Sequence, residues 1–189
     1  MGKKPINKEQ VQTIRKIISG NPLHELLLNL SVDLMLRSSD LLSLKVSDVV
    51  SDSGKVKSQV KVKQKKTGKT TLNIPLSQLS QDTIKDHLSG RDLSDYIFTG
   101  NKSNYTRKPI TTHQYARIVK DWMSKIGIDD VSHYSTHSMR KTKASLIYSQ
   151  THDVESVRRL LGQSSVTATS AYLGVSDESA LKLAKKFTL

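Results

Sequence analysis

Thr136-His137-Ser138-Met139-Arg140, then Leu160-Leu161-Gly162-Gln163-Ser164-Ser165 with Tyr172 nine residues beyond Gln163, is the stretch on which the reading of this chain turns. Thr136 caps a helix running through Tyr148, so His137 and Arg140, spaced i and i+3, share one face of its first turn. Val154 to Leu161 forms the next helix, stopped by Gly162, and Ser165 starts a short one reaching Tyr172. Just upstream, Thr112 caps an amphipathic helix ended by Gly127, with Tyr115, Ile118, Val119, Trp122, Met123 and Ile126 on one stripe. That stripe is core and is assigned no function.

Further out, the N-terminal half is also helical. Asn7 caps a helix to Ser19, with Gln10 at the capping-box position and Val11, Ile14, Ile17 and Ile18 on one face. Pro22 suits the first turn of a second helix through Leu23, Leu26, Leu27, Leu30 and Leu34 to about Leu36. Ser38 and Ser39 offer caps for a short third helix with Leu41, Leu42 and Leu44. The period then changes. Val56, Ser58, Val60 and Val62 alternate with Lys57, Gln59, Lys61 and Lys63, Lys66-Thr67-Gly68-Lys69 is a turn, and Thr70, Leu72 and Ile74 resume the alternation until Pro75. Three antiparallel strands are expected here, then a helix over Gln78 to Leu88 and a basic loop from Thr99 to Lys108. The fold class is mainly α with a small antiparallel β-sheet, an α+β arrangement.

Thirty Lys and Arg against 17 Asp and Glu leave a formal charge of +13 over 189 residues. That exceeds the magnitude of about 2–8 that solubility asks for, and such a field attracts polyanions, nucleic acid foremost. The absence of cysteine removes disulfides and thiolate metal sites, and no apolar run approaches a membrane span. A cytoplasmic, nucleoid-associated location is expected. His133 and His137 sit four apart, but without an intervening Glu or a third ligand nearby they are not read as a metal site.

Phosphodiester exchange without a metal needs fixed cations on the non-bridging oxygens, a nucleophile that keeps the phosphoryl group, and a proton donor for the departing 5′ oxygen. Candidates stand in order along the chain. Arg37 in Leu36-Arg37-Ser38-Ser39-Asp40-Leu41-Leu42-Ser43-Leu44 lies at a junction of two helices, with Asp40 three residues later. Lys66 lies on the sheet turn, with Lys65 its close competitor and register favouring Lys66. His137 and Arg140 form an H-x-x-R pair, and Gln163 and Tyr172 follow. Singly each is weak: Arg37 alone reads as a helix-end ion pair, the lysines as solvated charges, and Tyr172 as a packed aromatic.

Taken together in this order, the motifs resemble the catalytic domain of the tyrosine recombinases, the phage-integrase family, from about Asn7 onward. The resemblance implies a tyrosine-recombinase-like fold and site-specific cleavage and rejoining of DNA (integration, excision or inversion) through a 3′-phosphotyrosyl intermediate. Catalytic roles fall on Arg37, Lys66, His137, Arg140, Gln163 and Tyr172, with Asp40 orienting either Arg37 or the lysine turn. Lys63, Lys65, Lys69, Arg107 and Lys141 are expected DNA contacts. The implied partner is a double-stranded recombination site, the assembly a homotetramer on synapsed DNA, the origin a phage or mobile element, and no cofactor is called for. Gln163 departs from the family's usual His or Trp: it keeps a donor but carries no charge at neutral pH.

Residues 1–189 read as one catalytic domain, with 1–6 disordered and 176–189 a C-terminal helix that either packs on its own domain or is exchanged between protomers. The family's N-terminal DNA-clamping domain is not recognised. Other readings are a DNA-binding regulator on the same fold, favoured by Gln163, a type IB topoisomerase, and an RNA-binding protein that would explain only the charge.

Overall fold

A leucine-rich helix buried on nearly all sides organises the chain. The computed structural model describes residues 3–100, 108–175, 181 and 185. Helix α1 (Lys8–Ile18) carries the expected Asn7–Gln10 capping box. Helix α2 (Pro22–Leu34), capped by Asn21, buries Leu26, Leu27, Leu28, Leu30 and Leu34. Each such side chain contributes roughly 1.5–3 kcal/mol relative to exposure, so α2 is the anchor of the core. Helices α3 (Ser38–Leu42) and α4 (Val46–Val49) lead to strands β1 (Gln59–Val60) and β2 (Ile74–Pro75). Helices α5 (Gln78–Leu88) and α6 (Thr112–Lys125), a 3-10 turn at Val131–His133, and α7 (Thr136–Thr151), α8 (Val154–Leu161) and α9 (Val166–Leu173) complete the described elements.

Helix α2 is fastened to both α5 and α7 through one carboxylate. Asp33 accepts from the Ser77 amide at 2.8 Å and from the Ser77 and Ser80 hydroxyls at 2.6 Å, while Lys143 of α7 reaches its other oxygen at 3.1 Å. Burial alone would raise this carboxyl's pKa, but the Ser77 and Ser80 hydrogen bonds and the Lys143 charge outweigh it and hold the group below its ordinary value. Trp122, fully buried on α6, donates its indole N–H to His24 of α2 at 3.2 Å. The aromatic stripe is core.

Several local expectations are corrected. Thr111, not Thr112, caps α6, and Ser135, not Thr136, caps α7, which runs three residues past Tyr148. Arg37, not Ser38 or Ser39, stands at the N-cap of α3 and makes no side-chain cap. Residues 3–6 of the segment expected to be disordered are tied in: Lys4 N–H donates to the His133 carbonyl at 3.0 Å, and Ile6 is buried in the same core cluster as Val11. Ile6 precedes the cap and Val11 is the fourth helical residue, the positions of a hydrophobic staple.

The sheet is smaller than the alternation suggested. Among the described residues only β1 and β2 pair as strands, with Val60 opposite Ile74, while Lys63 and Thr70 form an isolated bridge nearer the turn. Between those pairs the return strand holds one residue more than its partner, the signature of a β-bulge. The phase flips there: Thr71 turns inward and Leu72, expected inside, is 51% exposed. Arg107 and its neighbours 101–107 lie outside the described residues, as does most of 176–189.

Two apolar clusters result. The large one centres on α2, α5 and α6, and a small one joins Met35, Ala144, Val157 and Leu161 to the partly buried Tyr172 and Leu173. Helices α8 and α9 therefore rest on far less buried apolar surface than the rest. Local opening costs least there.

Candidate active site

Three segments distant in sequence converge on one cleft of about 280 Å³, lined by Arg37, Ser38, Ser39, Lys66, Thr136, His137 and Arg140. Arg37 reaches it because α2 ends on Met35 in the left-handed conformation at φ 49°, which turns the chain into α3. A non-glycine residue there costs about 1–2 kcal/mol, offset by the near-complete burial of the Met35 side chain. Lys66 sits exposed on the hairpin turn. His137 and Arg140 project from the first turns of α7, as their spacing implied.

The cations are held by different means. Arg140 is buried, donates from Nη2 to the Leu161 carbonyl at 2.8 Å, and leaves Nη1 with no hydrogen-bond partner. Burial lowers its pKa, and it remains a cation at any working pH. Arg37 donates from Nη1 to Gln64 Oε1 at 2.9 Å. Asp40 does not take that role: its Oδ1 accepts from the Lys65 backbone N–H at 2.9 Å, so the carboxylate grips the lysine turn. Its buried Oδ2 has no hydrogen-bond partner.

His137 has its pKa lowered by desolvation first, then by Arg140, Lys141, Lys3 and Arg37. It stands second in α7, where the helix dipole adds to the same effect. The ring is therefore neutral at pH 7 and able to accept a proton.

Tyr172 lies on α9; it is not among the residues lining the cleft, but Arg140 and Arg37 are within electrostatic reach of its hydroxyl. Its hydroxyl is buried without a geometrically satisfactory hydrogen bond, and Lys141 Nζ sits 4.6 Å from its ring centroid. Burial pushes the phenol up to about 12, against the opposing pull of Arg140 and Arg37. Gln163 is not among the residues lining the cleft. Its side-chain Oε1 accepts the Thr169 hydroxyl at 2.6 Å, tying the loop before α9 to that helix. Lys63, Lys65 and Lys69 are exposed on the hairpin, consistent with a charged surface, and Arg107 lies outside the described residues.

Gln64 escaped the sequence reading. It is 1% exposed, donates from Nε2 to the Leu161 carbonyl at 3.2 Å and accepts the Thr67 hydroxyl at 2.9 Å as well as Arg37. The signal was the alternation itself, since Val60, Val62 and Gln64 occupy successive inward positions while Lys61, Lys63 and Lys65 point out. A polar side chain at an inward register position has to find partners, and this one ties three elements together.

Gly162 is shaped by that contact. It caps α8 at φ +61°, and a Cβ there would stand 2.7 Å from Gln64 Nε2. Gly162→Ala is expected to destabilise the fold by at least about 1–2 kcal/mol from the left-handed backbone alone. Urea unfolding measures it, and an unchanged midpoint would mean both that the backbone leaves the left-handed region at no cost and that Gln64 has room to withdraw.

Comparison with known proteins agrees with this architecture. The sequence profile described as the phage integrase family matches residues 4–179. The probable integrase/recombinase YoeC of Bacillus subtilis is 28% identical over 180 residues, covering 95% of this chain and 93% of that protein. The crystal structure of XerA recombinase superposes with a TM-score of 0.75 at 20% identity, over 98% of this chain and 65% of that one. XerH site-specific recombinase, in a pre-cleavage complex with its difH substrate, gives 0.70 at 19% identity, over 96% and 53%. The chain spans about half the length of the other curated relatives it matches.

Proposed function

The chain belongs to the phage integrase family, and we propose on that premise that it is a tyrosine-type site-specific DNA recombinase with Tyr172 as its nucleophile. The observation that carries this reading is the convergence of Arg37, Lys66, His137 and Arg140 on one cleft, with Tyr172 electrostatically coupled to both arginines. Two guanidiniums, a lysine and a neutral imidazole fit a phosphodiester whose charge grows in the transition state.

In the proposed cycle, Arg37 and Arg140 hold the non-bridging oxygens of the scissile phosphate. The unpaired Nη1 of Arg140 is a donor already desolvated and awaiting an acceptor. The Tyr172 oxygen attacks phosphorus and its proton passes to His137. The bond from phosphorus to the 5′ oxygen breaks as Lys66 protonates the leaving alkoxide. The 3′-phosphotyrosyl link conserves the bond energy, and a 5′ hydroxyl from another strand reverses the steps to complete exchange. This cycle asks for no metal or nucleotide.

Lys63, Lys65, Lys69 and Lys141 serve as phosphate contacts on the flanking duplex, and exchange itself calls for a homotetramer on two synapsed sites. The XerH–difH complex, formed by a structural neighbour, supports DNA as the ligand. Among the described residues no helix is long and apolar enough to cross a membrane.

A second reading has specific support: the nucleophile hydroxyl is buried with its pKa pushed up to about 12, and Gln163 stands where the family carries His or Trp. Those features suit a DNA-binding regulator that does not cleave. Covalent trapping on nicked duplexes from DNA flanking the coding region separates the two. The recombinase reading expects an adduct that survives denaturation, with phosphate mapped to the peptide containing Tyr172. Tight binding without any adduct, even in Gln163→His, selects the regulator.

Gln163→His is expected to accelerate adduct formation, because an imidazole adds a donor that can be charged. The same change removes one of two acceptors of the Thr169 hydroxyl, which keeps the Ser165 carbonyl at 2.9 Å, so stability should fall by less than about 1 kcal/mol. Single-turnover trapping and urea unfolding, run on the same preparation, read the two effects.

A further inference from the structure

One buried amide links the separate parts of the cleft. Gln64 Oε1 uses both acceptor positions, one on Arg37 Nη1 at 2.9 Å and one on Thr67 Oγ1 at 2.9 Å. Thr67 adjoins Lys66 on the hairpin turn. Gln64 Nε2 donates to the Leu161 carbonyl, which also accepts from Arg140 Nη2 at 2.8 Å. The side chain thus spans the first arginine, the lysine turn, and the α8 terminus that seats the second arginine. Its own backbone closes the turn, with Gln64 N–H donating to the Lys69 carbonyl at 2.8 Å and Gly68 N–H to the Gln64 carbonyl at 2.9 Å.

We infer that Gln64 is a positioning residue for strand cleavage, holding the Arg37 guanidinium and the Lys66 turn in register with Arg140. The inference rests on the recombinase reading for its catalytic consequence, though not for the ordering of Arg37. The physical need is plain. Arg37 and Arg140 are like charges lining one cleft and repel, and each is drawn to whatever acceptor is nearest. A neutral acceptor fixes Arg37 without neutralising it, which a carboxylate in the same place would do. The hairpin is also weakly built, with two paired residues per strand and a bulge, so it needs an external tie to hold Lys66.

No other side chain substitutes simply. Glutamate keeps the two acceptors but loses the donor to Leu161 and places an anion against Arg37. Methionine keeps the volume and loses every hydrogen bond, which makes it the cleaner variant. Alanine removes the packing too, and opens space beside Gly162, against which this same amide packs.

The test has two independent arms. In the first, side-chain NMR of nitrogen-labelled arginine on the DNA-free protein follows Arg37 in native, Gln64→Met and Gln64→Ala. The Arg37 guanidinium should be ordered in the native protein and mobile in both variants, with Arg140 affected less. Equal order of Arg37 in all three proteins overturns the inference, whatever the protein does to DNA.

The second arm measures single-turnover cleavage of an ordinary duplex and of one with sulfur at the scissile 5′ bridging position. A thiolate leaves without a proton, so the sulfur substrate bypasses Lys66 but not Arg37. Gln64→Met should cut the ordinary substrate about a hundredfold more slowly, the usual scale for small misplacement of catalytic groups. DNA affinity should stay near native, and sulfur should restore part of the loss. Native-like cleavage, or a loss explained by weaker binding, overturns the proposal. Full restoration by sulfur removes the Arg37 half of it, and no restoration removes the Lys66 half. Failure of the recombinase reading would appear separately, as a native protein whose Arg37 is ordered by Gln64 yet forms no adduct.

Discussion

Tyr172→Phe is expected to abolish the covalent DNA complex completely while leaving the fold as stable as the native protein or slightly more so. The first half follows from chemistry: without the phenolic oxygen there is no atom to bond to phosphorus. The second follows from the hydroxyl's surroundings. It is buried and has no geometrically satisfactory partner, so the folded state already bears its desolvation without a compensating hydrogen bond. Removing such a group from a site that keeps its shape returns up to about 1 kcal/mol. DNA affinity should change little, because the ring and the Lys141 cation above it remain.

The same substitution has a signature in alkali. Burial raises the phenol's folded pKa from the ordinary 10 to about 12. Above pH 10 the unfolded chain releases this proton while the folded chain keeps it. The tyrosine's share of stability is therefore whole below pH 10 and is lost as the pH climbs towards 12. Native protein should lose stability relative to Tyr172→Phe across that window, and parallel stability curves for the two would show that the hydroxyl reaches water. For catalysis the raised pKa means that the free protein holds Tyr172 protonated. In the proposed cycle ionisation therefore depends on transfer of the proton to His137 as the phenol attacks.

Arg140→Met is expected to reduce cleavage by about three orders of magnitude, the scale seen when a preorganised donor or an arginine is removed from a developing oxyanion. It should also raise the stability of the DNA-free fold. Arg140 is 4% exposed, satisfies one nitrogen on the Leu161 carbonyl, and leaves Nη1 unpaired. Of its charged neighbours Arg37 opposes the cation and Asp40 favours it, while the neutral Tyr172 hydroxyl offers only a weak hydrogen-bonding contact. A buried cation so incompletely paired costs more than it returns until an anion arrives, and a similar-sized apolar side chain relieves that cost. Arg140→Lys should be nearly as inactive, since a point charge cannot fork onto two oxygens. Urea unfolding beside single-turnover trapping checks both halves. A variant that lost activity and stability together would mark Arg140 as a structural residue. The expected opposition marks a site whose strain is relieved by its substrate.

That strain explains why some of the site was readable and some was not. Arg37, Lys66, His137 and Arg140 were legible because their contexts are sequence-local: a helix start, a hairpin turn, an i, i+3 pair. The H-x-x-R pair needed only helical periodicity to be placed on one face. Gln64 and Gly162 were not legible as partners, because they meet only in the folded chain, where the hydrogen bond from Gln64 to the Leu161 carbonyl next to Gly162 spans a separation of 97 residues. Gly162 looked like an ordinary helix stop, and it is one, but its missing Cβ also makes room for an amide. The choice for Asp40 between Arg37 and the lysine turn was likewise open in the sequence. The Lys65 N–H, presented by a folded hairpin, decided it.

The sequence by itself determined the longer helices, their order, and the family, while α4 and the 3-10 turn at Val131–His133 escaped it. Apolar periodicity, capping residues and glycine stops act within a few residues, so no long-range information was needed to see α1, α5 or α8. Tertiary structure alone decided the sheet's extent, the phase flip that exposes Leu72, the burial of Ile6, and the burial of the Tyr172 hydroxyl. Each depends on what another segment brings against it. Whether a residue is inside is a property of its neighbours in space, and the cleft's working charge, with one arginine paired through an amide and another left half-satisfied, is set by those neighbours too.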